Sequence, residues 1–335
     1  GILEIDNMRI STQSSLSNIE ILEEKLLDNK LHVRIRADID TKTTCSNGNS
    51  GNSFRKTLAI AAFPLEHTTQ ANLGNIRDVE SSLALQLTSR LNTFDGISAL
   101  NAGNLLLHKQ LGTATSRQLD DGTLTTMMAY TQQLDSQFIV SGIIRDVSML
   151  DPGVSNEKNW LIDTYNKLDY KSKKHLRNFS VDLFIHDGYS GTLLEQKQYT
   201  TQGRWNLAPT EKTGFATPAF FSTDYGQNVK KLLDEISQDL SKSLRCMPFS
   251  ARITRTEECS LWINAGQESG LKRGDKLTVY RKTMFYNQTS QTTTELINTR
   301  LTMTVDDVQA TTVKGHINGS TAQHNIQPDD IVMFW

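Results

Sequence analysis

Cysteine is scarce in this chain. The 335 residues include three, Cys45, Cys246 and Cys259, and no C-x-x-C pair brings two of them close enough to suggest a zinc or dithiol redox motif. Long apolar runs are missing too: none approaches the roughly 18 residues needed to span a bilayer. The first ten residues, GILEIDNMRI, lack the charged and apolar stretches of a signal peptide, so the chain reads as a mature or truncated one. An excess of one charge is also absent. Lys and Arg number 35 against 37 Asp and Glu, so no global field would draw the protein to nucleic acid or an anionic membrane, and partners must be chosen by local surface.

The usual signatures of catalysis do not occur. There is no G-x-S-x-G, no H-E-x-x-H and no G-x-x-x-x-G-K-[ST]. Gly266-Gln267-Glu268-Ser269-Gly270 and Gly274-Asp275 share only glycine content with a phosphate loop. They precede a β pattern where such a loop would open a helix, so they read as tight turns. The seven histidines are scattered, none within three to five residues of another His or Cys, which disfavours a metal site. His186-Asp187 has the composition of a base and its orienter, but it ends a strand entering a glycine turn and reads as a solvated turn. The expectation is a protein that is not an enzyme and carries no cofactor or metal.

What the chain does have is architecture. Arg55 to Pro64 (RKTLAIAAFP) is an almost unbroken apolar run closed by proline, the mark of a strand buried on both faces and placed at the centre of a covered sheet. Ile76, Val79, Leu83, Leu87 and Leu91 follow at helical spacing. Ile97 to Leu100 reads as a strand, Leu124 to Leu134 as a second helix and Gln137 to Val147 as a second buried strand. Phe179, Val181, Leu183 and Ile185 then alternate into a turn at 187–191, and Thr192 to Gln202 returns antiparallel, making the sheet mixed. Val229 to Leu244 describes a long amphipathic helix, with Ser222, Thr223 and Asp224 available to cap it.

Upstream, Ile19 to Leu27 and Leu31 to Ile39 flank a turn and form a hairpin that needs further elements to be stable. Downstream, short strands at Leu271 to Tyr280, Thr299 to Val308, Gln309 to Ile317 and Ile331 to Trp335 indicate a small all-β barrel. The expected fold is therefore α/β and multidomain. It has a partial α/β N-terminal domain (1–44), a linker (45–54), a three-layer mixed-sheet middle domain (55–248) and a β-rich C-terminal domain (249–335), the last expected to be separable after Cys246.

One cluster stands out for its charge. Lys167, Lys171, Lys173, Lys174, His175 and Arg177 interleave with Tyr165 and Tyr170 in a long segment between ordered strands, 151–178. Its composition suits RNA or an acidic protein surface, while Asp163 and Asp169 dilute the charge toward an ordinary solvated loop. Loops this long inside compact domains are often functional, so the Lys residues and Arg177 are candidate protein contacts.

The segments KTLAIAAF, SQFIVSGIIRDV, FSVDLFIHDGYSG with YTTQGRW, FFSTDYG and ESGLKRGDKLTVY, taken in that order, resemble the flagellar assembly protein T family of bacteria with sodium-driven polar flagella. The resemblance implies a middle domain similar to the amino-terminal domain of the translocation protein TolB. It also implies a periplasmic location near the outer membrane and a structural role in the H ring around the basal body, needed for the stator-associated T ring. Partners would then be other H-ring and T-ring components, with ring homo-oligomerisation and no nucleic acid. A periplasmic adaptor that binds peptidoglycan or an outer-membrane protein without forming a ring is the alternative. The implied compartment permits disulfides. Cys45 and Cys246 bracket the middle domain, whose ends are expected to lie close together, and are the expected pair, with Cys246–Cys259 as the rival.

Overall fold

The computed structural model describes residues 13–27, 30–42, 54–107, 134–151, 175–207, 211–286 and 292–334. The chain falls into two compact units, Gly1–Gly51 and Asn52–Trp335. In the first unit, β1 (Gln13–Leu27) pairs antiparallel with β2 (Lys30–Lys42) in a two-stranded sheet. Leu16 lies opposite Ile39 and Ile21 opposite Ile35, with two register shifts between Ser17 and Glu23. The strands are longer than the sequence pattern indicates because pairing continues into the polar stretches at both ends. Among the described residues this hairpin represents the expected N-terminal domain.

The second unit opens with β3 (Lys56–Ala61), α1 (Val79–Leu91), β4 (Ile97–Ala102), β5 (Phe138–Asp146), β6 (Leu176–Asp187) and β7 (Leu193–Arg204). A short helix, α2 (Pro218–Phe221), and the long α3 (Asp224–Arg245) follow. The strands form one mixed sheet in the order β4-β3-β5-β6-β7. β3 runs parallel to both its neighbours, while β6 and β7 are antiparallel. The apolar run at Arg55 to Pro64 is thus an interior strand but not the middle one. That place belongs to β5, because the chain adds only one strand beyond β3 and two antiparallel ones beyond β5.

Period-two alternation decides which side chains meet the helices. Leu58 and Ile60 of β3, Phe138, Val140 and Ile144 of β5, and Phe179, Val181, Leu183 and Ile185 of β6 share one core with Val79, Leu83, Leu87 and Leu91 of α1 and Val229, Leu233, Ile236, Leu240 and Leu244 of α3. The opposite face of β3 and β5 is also buried, through Ala59, Ala61 and Ile139, in a smaller cluster with Ala102 and Leu107. The second helix expected at Leu124 to Leu134 lies, but for its last residue, outside the described residues.

The remaining strands are β8 (Phe249–Glu257), β9 (Ser260–Ile263), β10 (Lys276–Tyr286), β11 (Thr292–Val308), β12 (Val313–His316) and β13 (Ile331–Phe334). They close into an antiparallel barrel in the order β10-β11-β12-β9-β8-β13. Closure removes the unpaired edges of so small a sheet. Ile253, Leu261, Ile263, Leu277, Val279, Met303, Val305, Val313 and Val332 fill its interior.

Candidate functional site

The basic segment leaves and rejoins the sheet at neighbouring points. Met149 bridges Arg177, the Leu150 N–H donates to the Leu176 carbonyl at 2.8 Å and the Asn178 N–H to the Ser148 carbonyl at 2.8 Å. Lys167, Lys171, Lys173 and Lys174 lie outside the described residues. Arg177 does not belong with them. It is the second residue of β6 and wholly buried, so it is withdrawn from the candidate contact surface. Its Nε donates to the Val147 carbonyl at 2.9 Å, Nη1 to that of Leu73 at 3.1 Å and Nη2 to that of Gln70 at 3.0 Å. The guanidinium lies 4.6 Å from the Trp205 ring centre and 5.4 Å from that of Tyr225. Burial lowers its pKa from the usual arginine range, with Tyr225 and Asp146 opposing the shift. Arg177 thus ties three stretches of main chain together at the base of the segment.

His186 and Asp187 do not form a catalytic pair. Asp187 Oδ1 accepts from the Tyr189 N–H at 3.0 Å, the Ser190 N–H at 2.7 Å and the Ser190 hydroxyl at 2.8 Å, so its carboxylate is committed to the turn. His186 is buried at the strand end, its Nδ1 3.4 Å from the Gly191 carbonyl oxygen, rather than solvated as its turn position suggests. Gln267–Ser269 form a single 3-10 turn ended by Gly270 at φ 87°, and Gly274 has φ 90°. Both glycines serve turns that an L side chain would strain. Among the described residues no group of three His, Cys, Asp or Glu is placed to hold a metal ion, and no helix is long and apolar enough to cross a membrane.

Cys246 caps the C-terminal end of α3. Cys259 is an exposed free thiol and Cys246 is not free, which excludes the Cys246–Cys259 pair. Cys45 lies outside the described residues.

A second polar and aromatic constellation lies at the junction between sheet and barrel, where the sequence shows only a change of pattern. Phe54, two residues before β3, is buried in the barrel core with its ring centre 5.1 Å from that of Phe249 and 4.8 Å from that of Phe334. The Arg55 N–H donates to the Ser269 carbonyl at 2.9 Å. Lys56 Nζ reaches back to the last carbonyls of α3, Leu244 at 2.7 Å and Arg245 at 3.1 Å. Burial, aided by the charge of Arg245, lowers the Lys56 pKa to about 8. At the far side Tyr189 packs with Tyr280, Ile331 and Met333 of the barrel and donates its hydroxyl to the Ser250 carbonyl at 3.0 Å. The barrel is therefore not a loosely tethered neighbour. Asn52–Trp335 form one compact unit in which these contacts join the sheet core to the barrel core. The signal that could have revealed this was Phe54 itself, a large apolar residue stranded at the end of a Ser-Asn-Gly linker.

The fold and its polar clusters define a class: a mixed-sheet α/β domain fused to a closed β-barrel, with polar and aromatic contacts joining the two. The family described as flagellar assembly protein T, middle domain, matches residues 47–215, and flagellar assembly protein T, C-terminal domain, matches residues 258–334. The chain belongs to the flagellar assembly protein T family. No curated protein matches it. Among solved structures it is similar to the hypothetical protein CT253 from Chlamydia trachomatis (14% identity, 56% of this chain and 95% of that one, TM-score 0.34). It is also similar to the PelC dodecamer of Paraburkholderia phytofirmans (10% identity, 55% and 88%, TM-score 0.29) and the lipoprotein GNA1162 of Neisseria meningitidis (9% identity, 56% and 97%, TM-score 0.27).

Proposed function

We propose that this flagellar assembly protein is a structural subunit of the H ring, in the periplasm near the outer membrane, and that it supports assembly of the stator-associated T ring. The observation that carries the reading is the pair of family matches in chain order on one compact unit. The junction between the sheet and the barrel suits a subunit that carries contact surfaces on both. Its mechanism is presentation of those surfaces to neighbours, through head-to-tail contacts that close only when the rotation per subunit is right. The sheet domain is read as similar to the TolB amino-terminal domain. Partners are the other H-ring and T-ring components.

Electron microscopy of basal bodies from a deletion strain tests this. Loss of the H ring, restored by the full chain, is the expected outcome; an intact ring would leave the adaptor that binds peptidoglycan or an outer-membrane protein. Within this reading Lys167, Lys171, Lys173 and Lys174 contact a partner. Replacing Lys171, Lys173 and Lys174 with Glu should abolish ring incorporation while leaving the circular dichroism spectrum unchanged, and normal swimming would remove the idea. We also propose the Cys45–Cys246 disulfide. Cys259 is a free exposed thiol, which leaves Cys45 as the one other cysteine for Cys246. A Cys45 peptide recovered free from a nonreducing digest would refute it.

A further inference from the structure

Two of the fastenings between the barrel and the sheet differ in chemistry. One is apolar: Phe54 sits between Phe249 and Phe334 in the barrel core, beside the connecting chain, where Gln137 Nε2 donates to the Pro248 carbonyl. The other is polar and centres on Arg252 of β8, whose side chain is 11% exposed. Its Nε donates to Asp135 Oδ1 of the sheet domain at 3.0 Å, its Nη1 pairs with Asp329 of the barrel, and its guanidinium lies 5.5 Å from the Tyr189 ring centre. The remaining carboxylate oxygens are used as well. Asn264 of the barrel donates to Asp135 Oδ2, and Lys282 Nζ, almost fully buried, donates to Asp329 Oδ2 at 3.0 Å.

The backbone marks the same place. Asp135 has φ 44° and Asp329 φ 81°, two of the seven described non-glycine residues in the left-handed region, which Asp enters more readily than most. Such conformations persist where the surroundings over-determine them, and they cluster at switches and clamps. Here two of these residues are the two ionic partners of one guanidinium, one from each side of the joint. The two fastenings also depend on different groups: removing the guanidinium charge abolishes the ion pairs and leaves the apolar plug in place.

We infer that Arg252 is the latch of a hinged joint whose pivot is Phe54. With Arg252 seated between Asp135 and Asp329 the barrel is locked against the sheet; with it released, the barrel stays attached through Phe54 and swings. This goes beyond the ring reading and does not depend on it.

The test is a distance distribution measured by pulsed electron spin resonance on the full chain. One spin label sits on the exposed thiol of Cys259 in the barrel. The other sits on a Lys197→Cys thiol on the sheet edge, where the lysine is 41% exposed. Labelling is done without reductant, and labelled positions are verified by digest mass. The otherwise unaltered chain should give one narrow distribution. Arg252→Met should broaden it to about twice that width, as a released hinge does. If Arg252→Met disrupts the barrel, Asp135→Asn removes the same ion pair from outside it and should broaden the distribution likewise. A distribution as narrow in the folded variant as in the unaltered chain would overturn the latch.

Discussion

A guanidinium taken out of water is costly unless its donors find acceptors. Arg177 meets that demand with three main-chain carbonyls and two aromatic rings. Arg177→Ala therefore leaves the Val147, Leu73 and Gln70 carbonyls without their donors beside a cavity, and should cost about 3–5 kcal/mol in urea unfolding. A lysine at 177 lacks the planar fork and should recover little of it. An unchanged urea midpoint in Arg177→Ala would return the residue to the surface. The sequence did contain the information that it is buried. Arg177 precedes Phe179, Val181, Leu183 and Ile185 in the same alternation, and all of these face the helices. Its charge and its place beside Lys173 and Lys174 mask that register. A burial pattern that predicts apolar residues carries no rule for one that is charged and fully hydrogen-bonded.

Elements were most legible where periodicity was long and uninterrupted. The α1 and α3 stripes and the alternation of β6 could be read because each runs through several repeats of its period. Cap choice at α3 was narrowed to three residues. The structure selects Thr223, whose hydroxyl accepts from the Gly226 N–H at 2.9 Å. β8 and β9 do not stand out as separate strands, since SLWI is short and FSARITRTE carries two arginines and a glutamate. Strand order was legible in type but not in position, because which strand lies in the middle depends on where later strands add. β5 takes that place at the cost of a glycine. A Cβ on Gly142 would collide with the Phe63 ring and the Asp182 carbonyl oxygen, so the strand admits no larger residue there. Gly142→Ala should lower stability by about 1–3 kcal/mol or more through overpacking, read as a fall in thermal midpoint without loss of strand content. A variant as stable as the unaltered chain would mean that Phe63 repacks freely.

At the scale of the molecule, two cores that looked independent in sequence are joined by contacts with no periodic signature: one phenylalanine in a linker, one arginine between two aspartates. Ending the chain at Cys246 would uncover Phe54 and leave Asp135 and Tyr189 without Arg252 and Ser250. That fragment should aggregate or unfold at a lower urea midpoint than the full chain, and equal stability would make the joint dispensable. The joint also titrates. Burial lowers the pKa of Lys56 to about 8, helped by Arg245, and that of Lys282 to about 8, helped by Arg252 and opposed by Asp187 and Asp330. From pH 8 to the ordinary lysine value of 10.5 the folded chain has released these protons while the unfolded chain still holds them. The unfolded state binds more protons in that window, so stability rises with pH across it. Tyr189, Tyr199 and Tyr225 act in the opposite sense, because burial raises each above the ordinary value of 10.0. Above it the unfolded chain ionises its tyrosines first, binds fewer protons and gains on the folded state. Urea midpoints should therefore climb above pH 8, pass a maximum near pH 10 and fall beyond it. Lys282→Met should make the climb shallower and leave the fall in place, whereas a steady decline from pH 8 in the unaltered chain would show that these lysines titrate as exposed ones do.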